Sequence, residues 1–211
     1  MSTQIMYSKP IIDITKADLR KTIELTKLET GKSPKLVVVQ ANSNVASDVY
    51  IRNKRKCCED VGMQFECKQI DTSRLTKAEL IFKLYDIINV GNSDKSINGI
   101  IIQKPIDLIS NDDEKLLFSG ISAIKDVDCF GKSSVYEIYS GNNDNLPCTV
   151  QGVLDILNYY KIDVEGKHIV ILGRSNIVGK PLALALLNKN ATVTICHSKT
   201  ENLEEYTKQA D

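Results

Sequence analysis

Apolar and polar positions along the chain follow two alternating periods. "KLVVVQ" and "GIIIQ" are continuous apolar runs, as strands covered on both faces require. "MQFECKQI" alternates strictly, Met63, Phe65 and Cys67 against Gln64, Glu66 and Lys68, which predicts a half-exposed strand. The intervening segments carry helical spacing. "DITKADLRKTIELTKLETG" pairs Leu19 with Ile23 and Leu25 with Leu28, and Gly31 closes it. "SDVYIRNKRKCCEDVG" predicts a second helix, with Ser47 as N-cap and Gly62 past its end. "TKAELIFKLYDIINVG" opens on a capping box, Thr76 with Glu79, and is expected to close near Gly91. A further helix is expected within "ISNDDEKLLFSG". Residues 119–147, rich in Gly, Ser, Asn and Asp, read as a long irregular connection. The rhythm resumes with a helix in "TVQGVLDILNYY" and the strand "HIVIL". A helix after Gly179, the strand "ATVTIC" and a short polar helix from near Glu201 follow.

Alternation of this kind implies an α/β protein with a mostly parallel sheet and helices on both sides. The irregular stretch implies two lobes meeting near Pro147, residues 1–147 and 148–211. Ligands of such sheets gather at the carboxyl ends of strands. That rule selects the residues after Val39, Ile102, Leu172 and Ile195. Composition narrows the partners. Lys and Arg number 27, as do Asp and Glu, so the net charge of zero gives no reason to expect nucleic acid or an anionic membrane. No apolar run approaches the roughly 20 residues that span a bilayer. The start "MSTQIMYSKP" has neither a basic region nor an apolar signal core. Six cysteines lack metal-type pair spacing and only two histidines are present. A reduced, cytoplasmic location and no metal are the expectation.

Two places carry candidate chemistry. In "HIVILGRSNIVGKPLALALL" a strand turns into a helix through Gly173, Ser175 and Gly179. A helix N-terminus there offers unpaired N–H groups to an anion. Ser175 stands where the common dinucleotide fingerprint has its middle glycine, and its hydroxyl is a phosphate donor. Gly179 comes one residue late and lets helix and strand pack closely. An ordinary strand-to-helix turn has the same pattern. The next strand ends "TICHSKT", with His197, Ser198 and Lys199 and no carboxylate, and Arg174 lies in the bend. NAD sites usually place an acidic residue there to hold the ribose, so NADP is favoured, with NAD as the alternative. The second place is the helix after "KLVVVQ". Tyr50 and Lys54 lie four apart and share a face. A lysine in a cleft handles protons; a solvent-facing lysine among Arg52, Arg55 and Lys56 is the plainer reading. Gln103 ends "GIIIQ", within reach of a ligand, of Lys54 or of backbone. Asp126 and Asp128 in "KDVDCFG" contact a polar heterocycle or form a turn.

Taken in order, "SDVYIRNKRKCCEDVG", "GIIIQKP", "KDVDCFG", "PCTVQG", "GRSNIVGKP" and "ATVTICHSKT" resemble the bifunctional methylenetetrahydrofolate dehydrogenase/cyclohydrolase family from about Lys35 to Thr200. The resemblance implies a folate-binding lobe and a Rossmann-like NAD(P) lobe with the active site in the cleft between them. It implies oxidation of 5,10-methylenetetrahydrofolate and hydrolysis of the methenyl product to 10-formyltetrahydrofolate, usually by a homodimer. By the same resemblance Lys54 handles protons, Tyr50 packs on the folate, Gln103 tunes the lysine and Asp128 binds the pterin ring. Arg174, Ser175 and Ser198 face the cofactor phosphates, and Thr149 and His197 join the cofactor set. The sequence departs from the family at Lys104, where leucine is typical, at Cys129, where glycine is, and at Val150, where proline is frequent. It also stops at Asp211, as "QAD" leads toward another strand, so a shortened chain with an incomplete nucleotide lobe is expected. A non-catalytic folate- or nucleotide-binding remnant and a shikimate-type dehydrogenase are the competing readings.

Overall fold

The computed structural model describes residues 4–211. Met1, Ser2 and Thr3, part of the stretch read for a secretion signal, lie outside the described residues. Two compact units form: Ile12–Val127, and the described residues up to Ile11 together with Asp128–Asp211.

In the first unit the helix α1 (Lys9–Thr30) precedes β1 (Lys35–Gln40), α2 (Val45–Val61), β2 (Gln64–Gln69), α3 (Lys77–Ser93), β3 (Gly99–Gln103) and α4 (Asn111–Gly120). The strands form a parallel sheet in the order β2-β1-β3. The centre strand buries Val37, Val38 and Val39, and every residue of β3 is buried, as their continuous apolar runs require. At the edge, β2 is half-buried through its middle. The capping box Thr76–Glu79 starts α3, and a second one, Ser110–Asp113, starts α4.

Three local expectations shift. The cap of α2 is Asn44, whose side chain accepts from the Ala46 N–H; Ser47 is instead buried in the first turn. Helix α3 runs through Gly91 to Ser93, because Lys125 satisfies the carbonyls at its end. Helix α1 begins at Lys9 and buries only Ile23, whereas Leu25 and Leu28 are exposed, so the apolar spacing there does not mark a core face.

The second unit contains α5 (Lys132–Tyr139), α6 (Cys148–Tyr159), β4 (His168–Leu172), α7 (Gly179–Leu187), β5 (Thr192–Cys196) and α8 (Leu203–Lys208). Strands β4 and β5 pair in parallel. Helix α5 lies inside the stretch expected to be irregular. Its Ile138 joins Val150, Leu154, Ile171 and Leu186 in one core, and Asn188 Nδ2 donates to the Ile138 carbonyl at 2.8 Å. That packing groups residues 128–147 with this unit. Among the described residues no helix is long and apolar enough to cross a membrane.

Candidate active site

Helix α2 turns one face to the sheet. The face reads Ser47, Ile51, Lys54, Cys58 and Val61, steps of four and three that stay on one side of a 3.6-residue helix. The other four are buried and Lys54 is half-buried, while Arg52, Arg55 and Lys56 are exposed. The lysine therefore occupies a position that the helical period reserves for an apolar residue. Its Nζ donates to Gln103 Oε1 at 2.7 Å. Gln103 is itself buried, and its Nε2 donates to the Lys104 carbonyl at 2.9 Å, which fixes which end of the amide faces the lysine. The loops after β1 and β3 are tied together: Asn42 Nδ2 donates to the Pro105 carbonyl at 2.6 Å, and the Asp107 N–H to the Ala41 carbonyl at 2.9 Å. Tyr50, one turn before Lys54, is 63% exposed and leaves its ring free to cover a flat ligand. These three expected residues are thus gathered at the carboxyl end of the sheet.

Asp128 belongs to the other unit, half-buried, where the Cys148 thiol donates to its Oδ1 at 3.8 Å. Asp126 is buried, and its backbone forms an isolated parallel bridge with Ile100.

The glycine bend leaves β4 beside the end of β5, with the Gly173 N–H donating to the Cys196 carbonyl at 2.7 Å. Register pairs Leu172 with Cys196, so Arg174 and Ser175 follow one strand end and His197 and Ser198 the other. Arg174, Ser175 and Ser198 are exposed, as is Thr149 on the first turn of α6. Gly179 is buried against the bend: a Cβ there would lie 2.2 Å from the Gly173 carbonyl oxygen. Two of the N–H groups expected to be open to an anion are instead taken. Val178 N and Gly179 N donate to Ser175 Oγ at 3.1 and 3.2 Å. Ser175 Oγ therefore serves as the acceptor at the start of α7, and its own hydroxyl proton is not used in these two bonds. The Lys199 N–H donates to His197 Nδ1 at 3.2 Å, which puts the proton of the neutral ring on Nε2.

The chain that carries this amide-held lysine and this strand-helix bend matches known proteins along its whole length. The family model for the tetrahydrofolate dehydrogenase/cyclohydrolase catalytic domain matches residues 6–128, and that for the NAD(P)-binding domain matches 147–211. The chain belongs to the tetrahydrofolate dehydrogenase/cyclohydrolase family. Similar relatives include the bifunctional protein FolD of Streptococcus agalactiae, 42% identical over 209 residues, which cover 99% of this chain and 71% of the relative. FolD of Bacillus subtilis is 42% identical over 212 residues, covering 100% and 72%. The crystal structure of FolD methylenetetrahydrofolate dehydrogenase/cyclohydrolase from Campylobacter jejuni superposes with a TM-score of 0.91 at 37% identity, over 100% of this chain and 72% of that one.

Within this dehydrogenase/cyclohydrolase chain, Lys104 is accounted for by structure. Its Nζ pairs with Glu114 of α4 at 2.5 Å and lies over the Phe118 ring. Cys129 is buried with φ 58, the left-handed conformation that glycine adopts without cost. Val150 is fully buried in the core of the second unit. Sequence reading passed over two groups. Lys125 is a buried cation whose Nζ donates to the Gly91, Asn92 and Asp94 carbonyls at 2.7, 2.9 and 2.7 Å. Gln40, at the end of β1, donates to Asp48 Oδ1 at 2.7 Å. A signal for Gln40 was present: "KLVVVQ", "FECKQ" and "GIIIQ" all end in glutamine.

Proposed function

We propose that this chain oxidises 5,10-methylenetetrahydrofolate to the 5,10-methenyl form with NAD(P), and hydrolyses that product to 10-formyltetrahydrofolate. The observation that carries the reading is the Lys54 amine, set in the sheet-facing side of α2 and held at 2.7 Å by Gln103 Oε1. In the hydrolysis, water adds to the cationic bridge carbon and gives up a proton. The bond from that carbon to N5 then breaks as N5 takes a proton, and the new hydroxyl gives up its own proton to become the formyl C=O, so one proton is released overall. Lys54 is the group that accepts the first proton and supplies the second. A carbonyl oxygen accepts an N–H from the amine in either protonation state, so the Gln103 contact persists while the proton moves. Tyr50 covers the folate ring and Asp128 accepts from its polar edge. In the oxidation, a bound nicotinamide supplies the hydride acceptor, and the protein's task is placement.

The nucleotide is held by the bend: Ser175 and Arg174 face phosphate, Gly173 and Gly179 let the backbone approach, and Thr149, His197 and Ser198 complete the set. NADP is the favoured form, because β5 is followed by His197, Ser198 and Lys199 rather than by a carboxylate that would repel a 2′-phosphate. Six free thiols support a reducing, cytoplasmic location. The family resemblance supports a homodimer.

The test is absorbance at the methenyl band and at the reduced-nicotinamide band, with methylenetetrahydrofolate and either nucleotide. Lys54→Ala is expected to abolish methenyl hydrolysis. Undiminished hydrolysis in that variant removes Lys54 from the mechanism, and equal rates with NAD and NADP remove the cofactor preference.

A further inference from the structure

The three strands of the first unit end on glutamines at one level. Register pairs Gln40 with Gln69 on one side and with Gln103 on the other. Two of these amides reach α2 in opposite senses. Gln103 offers its oxygen to Lys54, and Gln40 offers its N–H to Asp48 Oδ1 at 2.7 Å. The orientation of each is set by its other end. Gln69 Nε2 donates to Gln40 Oε1 at 3.0 Å, which turns Gln40 Nε2 toward the carboxylate. Gln40 is 2% exposed, so its amide has no water to fall back on.

Helical geometry gives this pairing a consequence. At about 100° per residue, Lys54 falls within the buried stripe of Ser47, Ile51, Cys58 and Val61, and Asp48 falls about 100° from Ser47, on one flank. A contact on the stripe sets the distance of α2 from the sheet. A contact on the flank sets its roll about its own axis. Ile51, the apolar contact between them, packs against Val38 and Ile101 and allows rolling, because apolar packing has no preferred direction.

We infer that the chain Gln69–Gln40–Asp48 is a positioning device that fixes the roll of α2 and so aims the Lys54 amine. Asp48 and Gln40 are positioning residues, acting through Lys54. The inference rests on the proton-handling role proposed for Lys54.

The test compares Asp48→Ala, Asp48→Asn and Gln40→Leu with the unchanged chain and with Lys54→Ala. Two readouts are used: kcat and KM for methenyl hydrolysis, and the rate at which Lys54 is reductively methylated, measured by peptide mass spectrometry against the exposed Lys56. Asp48→Ala is expected to lower kcat at least tenfold with KM within about twofold, and to change Lys54 labelling several-fold. Asp48→Asn keeps an acceptor for Gln40 and is expected to restore both. Labelling and kcat of Asp48→Ala within twofold of the unchanged chain overturn the inference. So does a loss of kcat with unchanged Lys54 labelling, since the carboxylate would then act directly. Full hydrolysis by Lys54→Ala refutes the role of the lysine instead, and labelling alone then decides whether Asp48 aims it.

Discussion

Gly179→Ala is a severe test of the nucleotide bend because its conflict is with backbone. The added Cβ would sit 2.2 Å from the Gly173 carbonyl oxygen, 2.7 Å from its carbon and 3.0 Å from Arg174 Cα. Real Cβ atoms essentially never come within 3.0 Å, so at least 0.8 Å of displacement is needed (3.0 less 2.2). No side chain can swing away. Either α7 or the bend must move, and the Val178 and Gly179 N–H bonds to Ser175 Oγ move with it. Overpacking costs about 1–3 kcal/mol where side chains give, and a rigid backbone clash belongs at the upper end. For a chain of this size about 3 kcal/mol lowers Tm by roughly 6–12 °C. Gly152→Ala is the matched control. It lies inside α6 with nothing within 4 Å of the new methyl, so it is expected to stabilise by about 0.4–1 kcal/mol. The assay is thermal unfolding by circular dichroism, with NADP binding by calorimetry. A Gly179→Ala variant that melts within about 2 °C of the unchanged chain and binds NADP equally well would refute the close approach of α7 to the bend.

Two further outcomes concern the scaffold. Lys125→Met removes the three protons that satisfy the end of α3, and hydrogen bonds from a charged donor are worth roughly 1.5–3 kcal/mol each. Relief of the buried charge offsets part of that, so a net loss of about 2–4 kcal/mol is expected in urea unfolding, and no loss removes the lysine as a helix cap. Asp113 is held at about 2, below its ordinary 3.8, by Lys77 at 2.7 Å and by the Ser110 hydroxyl and N–H. A depressed carboxylate stabilises the fold above its unfolded value and loses that contribution as pH falls through the folded one. Stability should therefore decline between about pH 4 and 2, less steeply in Asp113→Asn, and an unchanged acid limb in that variant excludes this carboxylate as a cause.

Elements whose causes are local were readable from the chain. The runs "KLVVVQ" and "GIIIQ" need only their own composition to be buried strands, and the capping box Thr76–Glu79 spans four residues. Helix α5 has no side-chain cap, and Gly131 and Ser140 bound it, so its local signals resemble those of a loop; Ile138 holds it through long-range packing. Helix α1 shows the converse, with apolar spacing and little burial. The candidate site follows the same division. Lys54 was legible as a helical neighbour of Tyr50. That it interrupts a stripe of buried residues was equally open to inspection, since Ser47, Ile51, Cys58 and Val61 lie at the required steps. The charged residues around it masked the break, because Arg52, Arg55 and Lys56 make a fourth cation look ordinary. Of the partners, Gln103 is legible as a strand-end amide open to a ligand, to Lys54 or to backbone, and the structure realises the last two; the pairing of Gln69 with Gln40, 29 residues apart, has no local signal, and only the sheet register closes that distance. A lysine placed where the period demands an apolar residue costs stability unless something repays its burial. Here the Gln103 amide does so at one point of the helix and Asp48 steadies another. A position that breaks its local rule, with buried amides arranged around the break, is where function is expected to lie.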